Sequence, residues 1–130
     1  VYPTWKWIEL HVQTGASPVY RYLFDQVMAT PDGPVAENDA GAGHASDIPF
    51  VFNALDYMGN PITEGDQATA DLMVDYWTNF ARSGDPNGPG LPEWPLFSEQ
   101  NGKRIMRLNA AANAEPESDR ERLEFLDSLQ

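Results

Sequence analysis

The run Val19-Tyr20-Arg21-Tyr22-Leu23-Phe24 constrains this chain more than any other segment. Aromatic and branched side chains follow one another there with only Arg21 interrupting, the pattern of a strand covered on both faces rather than of one that alternates between core and water. A buried strand requires neighbouring strands along its edges and helices to cover it. The chain has 130 residues, about the length of one ordinary domain, and 42% of them are hydrophobic, enough for a core.

Helices are legible on both sides of that strand. Near the start, Pro3 suits a first helical turn, Trp5, Ile8 and Val12 share a face, and Gly15 is a candidate left-handed stop, so a short amphipathic helix is expected. The clearest helix runs from about Thr63 to Arg82. Thr63 is an N-cap with Asp66 three residues on, Asp and Glu occupy the first turn, and Gly84 and Pro86 end it. Leu72, Tyr76 and Phe80 form one row, with Met73 and Trp77 in the next. Arg104 to Leu108 alternates like a half-exposed edge strand, and Glu117 to Leu129 reads as a charged helix with Leu123, Leu126 and Leu129 inward. Residues 29–42 and 85–95 are rich in Pro, Gly, Asp and Asn and are expected as loops, with a turn at Pro31-Asp32-Gly33-Pro34.

The first loop delivers one of only two histidines. Gly41-Ala42-Gly43-His44-Ala45-Ser46-Asp47-Ile48-Pro49-Phe50-Val51-Phe52 places His44 between small residues just before an apolar run. Imidazole there could take a proton from a serine hydroxyl, a poor nucleophile near neutral pH, and return it to a leaving alcohol. From the neighbours alone, a solvated loop histidine is the commoner case. No Gly-x-Ser-x-Gly elbow occurs, and the six serines stand in unrelated contexts. His11 falls off the apolar face of its helix and is expected at the surface. Most of Trp5, Trp7, Tyr20, Tyr22, Trp77 and Phe80 are expected in the core, whereas Phe50 and Phe52 are the candidates for a pocket wall.

Taken together, Val19-Tyr20-Arg21-Tyr22-Leu23-Phe24-Asp25, the His44 loop, the block from Asp75 to Asn87, Trp94-Pro95-Leu96-Phe97 and the tail from Arg122 to Leu129 resemble the C-terminal portion of type-B carboxylesterases. That is the cholinesterase and para-nitrobenzyl esterase family. The resemblance covers nearly the whole chain. It departs at Asn53, where the family usually has glycine, and at Leu123 and Leu126, where it often has cysteine and tryptophan. It implies an α/β class: residues 1–130 would be the C-terminal segment of an α/β-hydrolase domain of bacterial type, with few strands, one core and one edge, under covering helices. It also implies that His44 is the triad histidine of an acyl-serine mechanism, with the serine and the acid both upstream in the remainder of the esterase chain. Asp47 matches a position often acidic in the family, with a supporting or helix-capping role. Of the carboxylates Glu9, Asp25, Asp32, Glu37 and Asp39, the two nearest His44, Glu37 and Asp39, are more simply solvated loop charges than the triad acid. No cofactor is implied. An isolated segment would be inactive on carboxylic esters, and its exposed strand would make it self-associate. The reading from another class is a non-catalytic esterase-like module that binds a protein partner.

Composition removes several partners. A net charge of −12 opposes approach to nucleic acid or to an anionic bilayer. No apolar run approaches the ~20 residues of a membrane-spanning helix. Without cysteine there is no disulfide or thiolate metal site. Asp85-Pro86-Asn87-Gly88-Pro89-Gly90 starts like a calcium loop, but Pro89 and Leu96 stand where oxygen donors are needed, so no metal is expected.

Overall fold

A computed structural model describes residues 1–31, 33 and 41–129. Asp32, Pro34, Glu37 and Asp39 lie outside the described residues, and with them the turn expected at 31–34.

The described residues are organised by a three-stranded sheet: β1 (Tyr22–Phe24), β2 (Arg104–Leu108) and β3 (Asn113–Pro116), in the order β1-β2-β3. β1 runs parallel to β2, with Tyr22 opposite Met106 and Phe24 opposite Leu108, and β3 runs antiparallel on the other side of β2. This reverses two expectations. The Val19 to Phe24 run, expected to be buried on both faces, forms only a three-residue strand at the edge of the described sheet, and Leu23 is 42% exposed. Arg104–Leu108, expected at an edge, is the central strand. Its alternation misleads because Arg107 lies between two neighbours: the guanidinium reaches Asp25 just past β1 at 2.5 Å and Glu115 on β3 at 3.2 Å. β3 is not legible in the sequence, because Asn113-Ala114-Glu115-Pro116 carries no apolar signal.

Among the described residues, four helices accompany the sheet: α1 (Tyr2–Thr14), α2 (Ile48–Val51), α3 (Glu64–Ser83) and α4 (Arg120–Ser128), with a 3-10 turn at Leu55–Met58. α3 forms as expected. Thr63 and Asp66 make both bonds of the capping box, Asp66 N–H to Thr63 Oγ1 at 3.1 Å and Thr63 N–H to Asp66 Oδ2 at 2.9 Å, and Gly84 ends the helix at φ +78°. Its buried face carries Asp66, Thr69, Ala70, Met73 and Tyr76, so the stripe is rotated from the expected row and Phe80 is half exposed. Gly15 follows α1 in extended conformation rather than as a left-handed cap. A Cβ there would stand 2.7 Å from the His11 carbonyl oxygen, and this close approach explains the glycine. α4 begins at Arg120, three residues later than expected; Leu123 is buried, Leu126 is half-buried, and Leu129, just past the helix end, is exposed rather than inward. His11 is exposed as expected. Of the six aromatics expected mostly in the core, Trp5 alone is buried: Tyr20 and Trp77 are half-buried, and Trp7, Tyr22 and Phe80 are exposed, because the sheet and α3 leave their outer faces uncovered.

The main core lies between α3 and one face of the sheet. Phe50, Leu55, Ala70, Met73, Tyr76, Trp94, Met106 and Leu108 form one buried cluster. Fully burying side chains of this size contributes about 1.5–3 kcal/mol each. The Tyr76 hydroxyl stays satisfied inside it by donating to the Pro92 carbonyl at 2.6 Å. Asn87 closes the loop after α3 by accepting from Trp94 N–H at 2.7 Å and donating to the Trp94 carbonyl at 2.9 Å. The Trp94 indole in turn donates to the Arg21 carbonyl at 3.1 Å, joining that loop to the start of β1.

Candidate active site

His44 stands in the turn that leads into α2. Ser46 N–H reaches back to the Gly43 carbonyl at 3.2 Å, the Ser46 hydroxyl reaches the same carbonyl at 2.7 Å, and Ile48 N–H reaches the Ala45 carbonyl at 3.3 Å. Ala45 takes φ +61°, a left-handed conformation costly for a residue with a Cβ. Gly41, at the approach, is left-handed as well. The local geometry of the histidine is thus closely specified by its own turn. His44 is exposed, and among the described residues its ring makes no hydrogen bond.

Asp47 occupies the N-cap position of α2 but makes no capping bond with its side chain. Its carboxylate instead accepts a hydrogen bond from the Tyr22 hydroxyl on β1, at 2.8 Å. Burial, reinforced by the Asp47 carboxylate, pushes the Tyr22 hydroxyl up to about 12, so the phenol keeps its proton and remains a donor throughout the neutral range. Two residues on and on the same face of β1, Phe24 meets Phe50 edge to face with ring centres 5.0 Å apart. The pairs Tyr22–Asp47 and Phe24–Phe50 therefore fasten the His44 turn and α2 to one face of the strand.

The two expected wall residues part company. Phe50 is buried, belongs to the core and also borders a cleft of about 110 Å³ with Ala42, Gly43 and Ser46 from the histidine loop and Met28 and Met58 opposite. Phe52 is 75% exposed and does not border that cleft. Of the upstream carboxylates, Glu9 pairs with Lys103 and Arg120, and Asp25 with Arg107 and Asn109. Both are engaged structurally and neither bonds to His44. The Tyr22 contact was not legible from the residues in line, where Tyr22 reads as one more core aromatic; the period of two that puts it beside Phe24 was the available signal.

The chain matches the Carboxylesterase family over residues 1–126. It is similar to human cocaine esterase, 38% identical over 101 residues that cover 76% of this chain and 17% of that protein. It is also similar to the medium-chain fatty acyl-CoA hydrolase precursor of Anas platyrhynchos, 34% identical over 115 residues that cover 88% of this chain and 20% of that protein. Among solved structures, an esterase from anaerobic Clostridium hathewayi that can hydrolyse aliphatic aromatic polyesters aligns with a TM-score of 0.76 at 29% identity, over 97% of this chain and 24% of that one. A thermophilic PNB esterase aligns with a TM-score of 0.68 at 26% identity, over 84% and 22%. The chain spans about a fifth of the length of the curated relatives it matches. Its sheet and helices are a part of the α/β-hydrolase fold of such esterases. With the strand, the histidine turn and the long capped helix standing in the order of the resemblance, and a family match that runs through all of them, the chain belongs to the carboxylesterase family.

Proposed function

We propose that this segment serves a carboxylic ester hydrolase by supplying the triad histidine, His44. One observation carries the reading: in a chain of the carboxylesterase family, an exposed His44 stands on a turn of narrowly defined geometry fastened to β1. His44 accepts the proton of a serine hydroxyl as its oxygen attacks the ester carbonyl. The imidazolium then returns that proton to the departing alkoxide, leaving an acyl-serine, and water repeats the sequence to release the acid. The serine, the acid that orients the ring and the N–H groups that hold the oxyanion come from the remainder of the esterase chain. That remainder also covers the open edge of β1. Asp47 supports the turn, and Phe50 forms part of the wall beside it.

In the esterase that carries this segment, His44→Ala is expected to lower kcat by roughly 10³-fold or more with the fold intact, read by ester hydrolysis and circular dichroism. A variant keeping a tenth of wild-type turnover sinks the assignment and transfers the chain to the non-catalytic binding module.

A further inference from the structure

We propose that Tyr22 is a positioning residue for the reaction, its hydroxyl tethering the His44 turn to β1 through Asp47. This rests on the reading of His44 as the proton-transfer group and goes beyond it by naming what holds that group in place.

The tether is fixed at both ends. On the strand side, the Tyr22 ring packs edge-on against Trp77 at 5.3 Å and Trp94 at 5.9 Å, and Trp94 is itself buried and bonded to the Arg21 carbonyl. The phenol therefore has little freedom to follow a moving loop. On the loop side, Asp47 ends a turn whose internal bonds run from Gly43 to Ile48, so a displacement of Asp47 carries His44 with it. Among the described residues, Tyr22–Asp47 is the one hydrogen bond that joins residues 43–47 to the sheet. An N-cap aspartate ordinarily accepts from the helix it starts. Asp47 leaves that bond unmade and accepts from another element, as a tether requires and a cap does not.

A proton-transfer group must be held within about 0.5 Å of its productive position, and a 1 Å error can cost 10²-fold. Removing the hydroxyl leaves the Phe24–Phe50 contact in place, so the turn loosens without leaving the strand. The test uses the esterase containing this segment, with kcat and KM measured for Tyr22→Phe, Asp47→Asn, Asp47→Leu, the double variant Tyr22→Phe with Asp47→Leu, and His44→Ala. Tyr22→Phe is expected to lower kcat about 10-fold and leave KM within about twofold. Asp47→Asn keeps an acceptor oxygen and is expected within about threefold of wild type, whereas Asp47→Leu matches Tyr22→Phe, and the double variant is no worse than the poorer single one. Wild-type kcat in Tyr22→Phe beside an inactive His44→Ala overturns the tether and spares the proposed function. Losses that multiply in the double variant overturn it equally. If either Tyr22 variant fails to fold, equal losses in Asp47→Asn and Asp47→Leu decide against it. Activity retained in His44→Ala removes the proposed function and the tether with it.

Discussion

Lys103 Nζ lies 2.7 Å from Glu9 Oε2, and both side chains are 7% exposed although 94 positions separate them in the chain. Around the pair, Arg120 bonds Glu9 at 2.9 Å and Glu117 at 3.3 Å, Arg21 bonds Glu117, and Lys103 also reaches Glu99 at 2.5 Å. α1, the lead into β1, the turn before β2 and the start of α4 thus meet on one network of charges. An ion removed from water costs several kcal/mol unless its partners are well placed, so such a network penalises any arrangement of these elements that leaves one charge alone.

Lys103→Met is therefore expected to destabilise the protein by about 3 kcal/mol, the low end for a broken buried pair because Arg120 stays with Glu9. Replacing both members, Glu9→Leu with Lys103→Met, should cost less than the sum of the two single changes. Denaturant midpoints of the three variants test this; an additive double variant would show that the pair is not coupled.

The network also has a pH signature. Burial pulls the Glu9 carboxyl up, but hydrogen bonds from Arg120 and Lys103 outweigh it and hold the group below the ordinary glutamate value. A depressed folded-state pKa means that the stabilisation is complete above the unfolded value, about 4.3, and is lost as pH falls through the depressed one. Burial lowers and Glu9 and Glu99 raise Lys103, with a net rise, so its share is complete below the ordinary lysine value and is lost as pH climbs through the raised one. The stability gap between wild type and Glu9→Gln should accordingly be flat near neutrality and shrink on acidification below about 4. A gap unchanged down to strong acid would contradict the assignment of this charge.

Asn53 sits at φ +47° and terminates α2, allowing Ala54 N–H to reach the Pro49 carbonyl at 2.8 Å. Asparagine is, after glycine, the residue that best tolerates the left-handed region. Its amide oxygen also accepts from Gln67 on α3 at 3.0 Å. Asn53→Gly is expected within about 0.5 kcal/mol of wild type, whereas Asn53→Val should destabilise by about 1–2 kcal/mol. Thermal or denaturant unfolding of both variants decides it, and a neutral valine would mean the backbone is not held there.

β1 pairs with β2 along one edge only, and among the described residues no strand occupies the other. Tyr22 and Leu23 stand partly exposed beside that edge. The isolated 130-residue chain is expected to self-associate through it, because charge repulsion is screened within about 8 Å at physiological salt and cannot guard a strand edge. Sedimentation over a concentration range should show reversible growth beyond the monomer; a monomer at every concentration would mean that the segment closes this edge by itself.

The ends of α3 and the approach to His44 are legible in the sequence because neighbouring residues settle them, whereas Gly15 has the same local signature and is extended because it packs against the His11 carbonyl. Thr63, Asp66 and Gly84 mark the ends of α3 because capping and left-handed stops involve groups a few residues apart, and the glycine-flanked approach to His44 marks a loop for the same reason. The resemblance of ordered blocks likewise found the family, since it depends on residue identity and order alone. What tertiary structure decided was everything that depends on who stands beside whom. Arg107 makes β2 look like an edge until Asp25 and Glu115 are seen to flank it, and β3 exists only because β2 offers it a ladder. Glu9 reads as a surface charge until Lys103 arrives from the far end of the chain. Tyr22 reads as core until a turn 25 residues later brings Asp47 to its hydroxyl. Strand order and charge pairing are contacts between distant residues, which one-dimensional periodicity does not encode, whereas helix caps and turns are settled within a single turn of backbone.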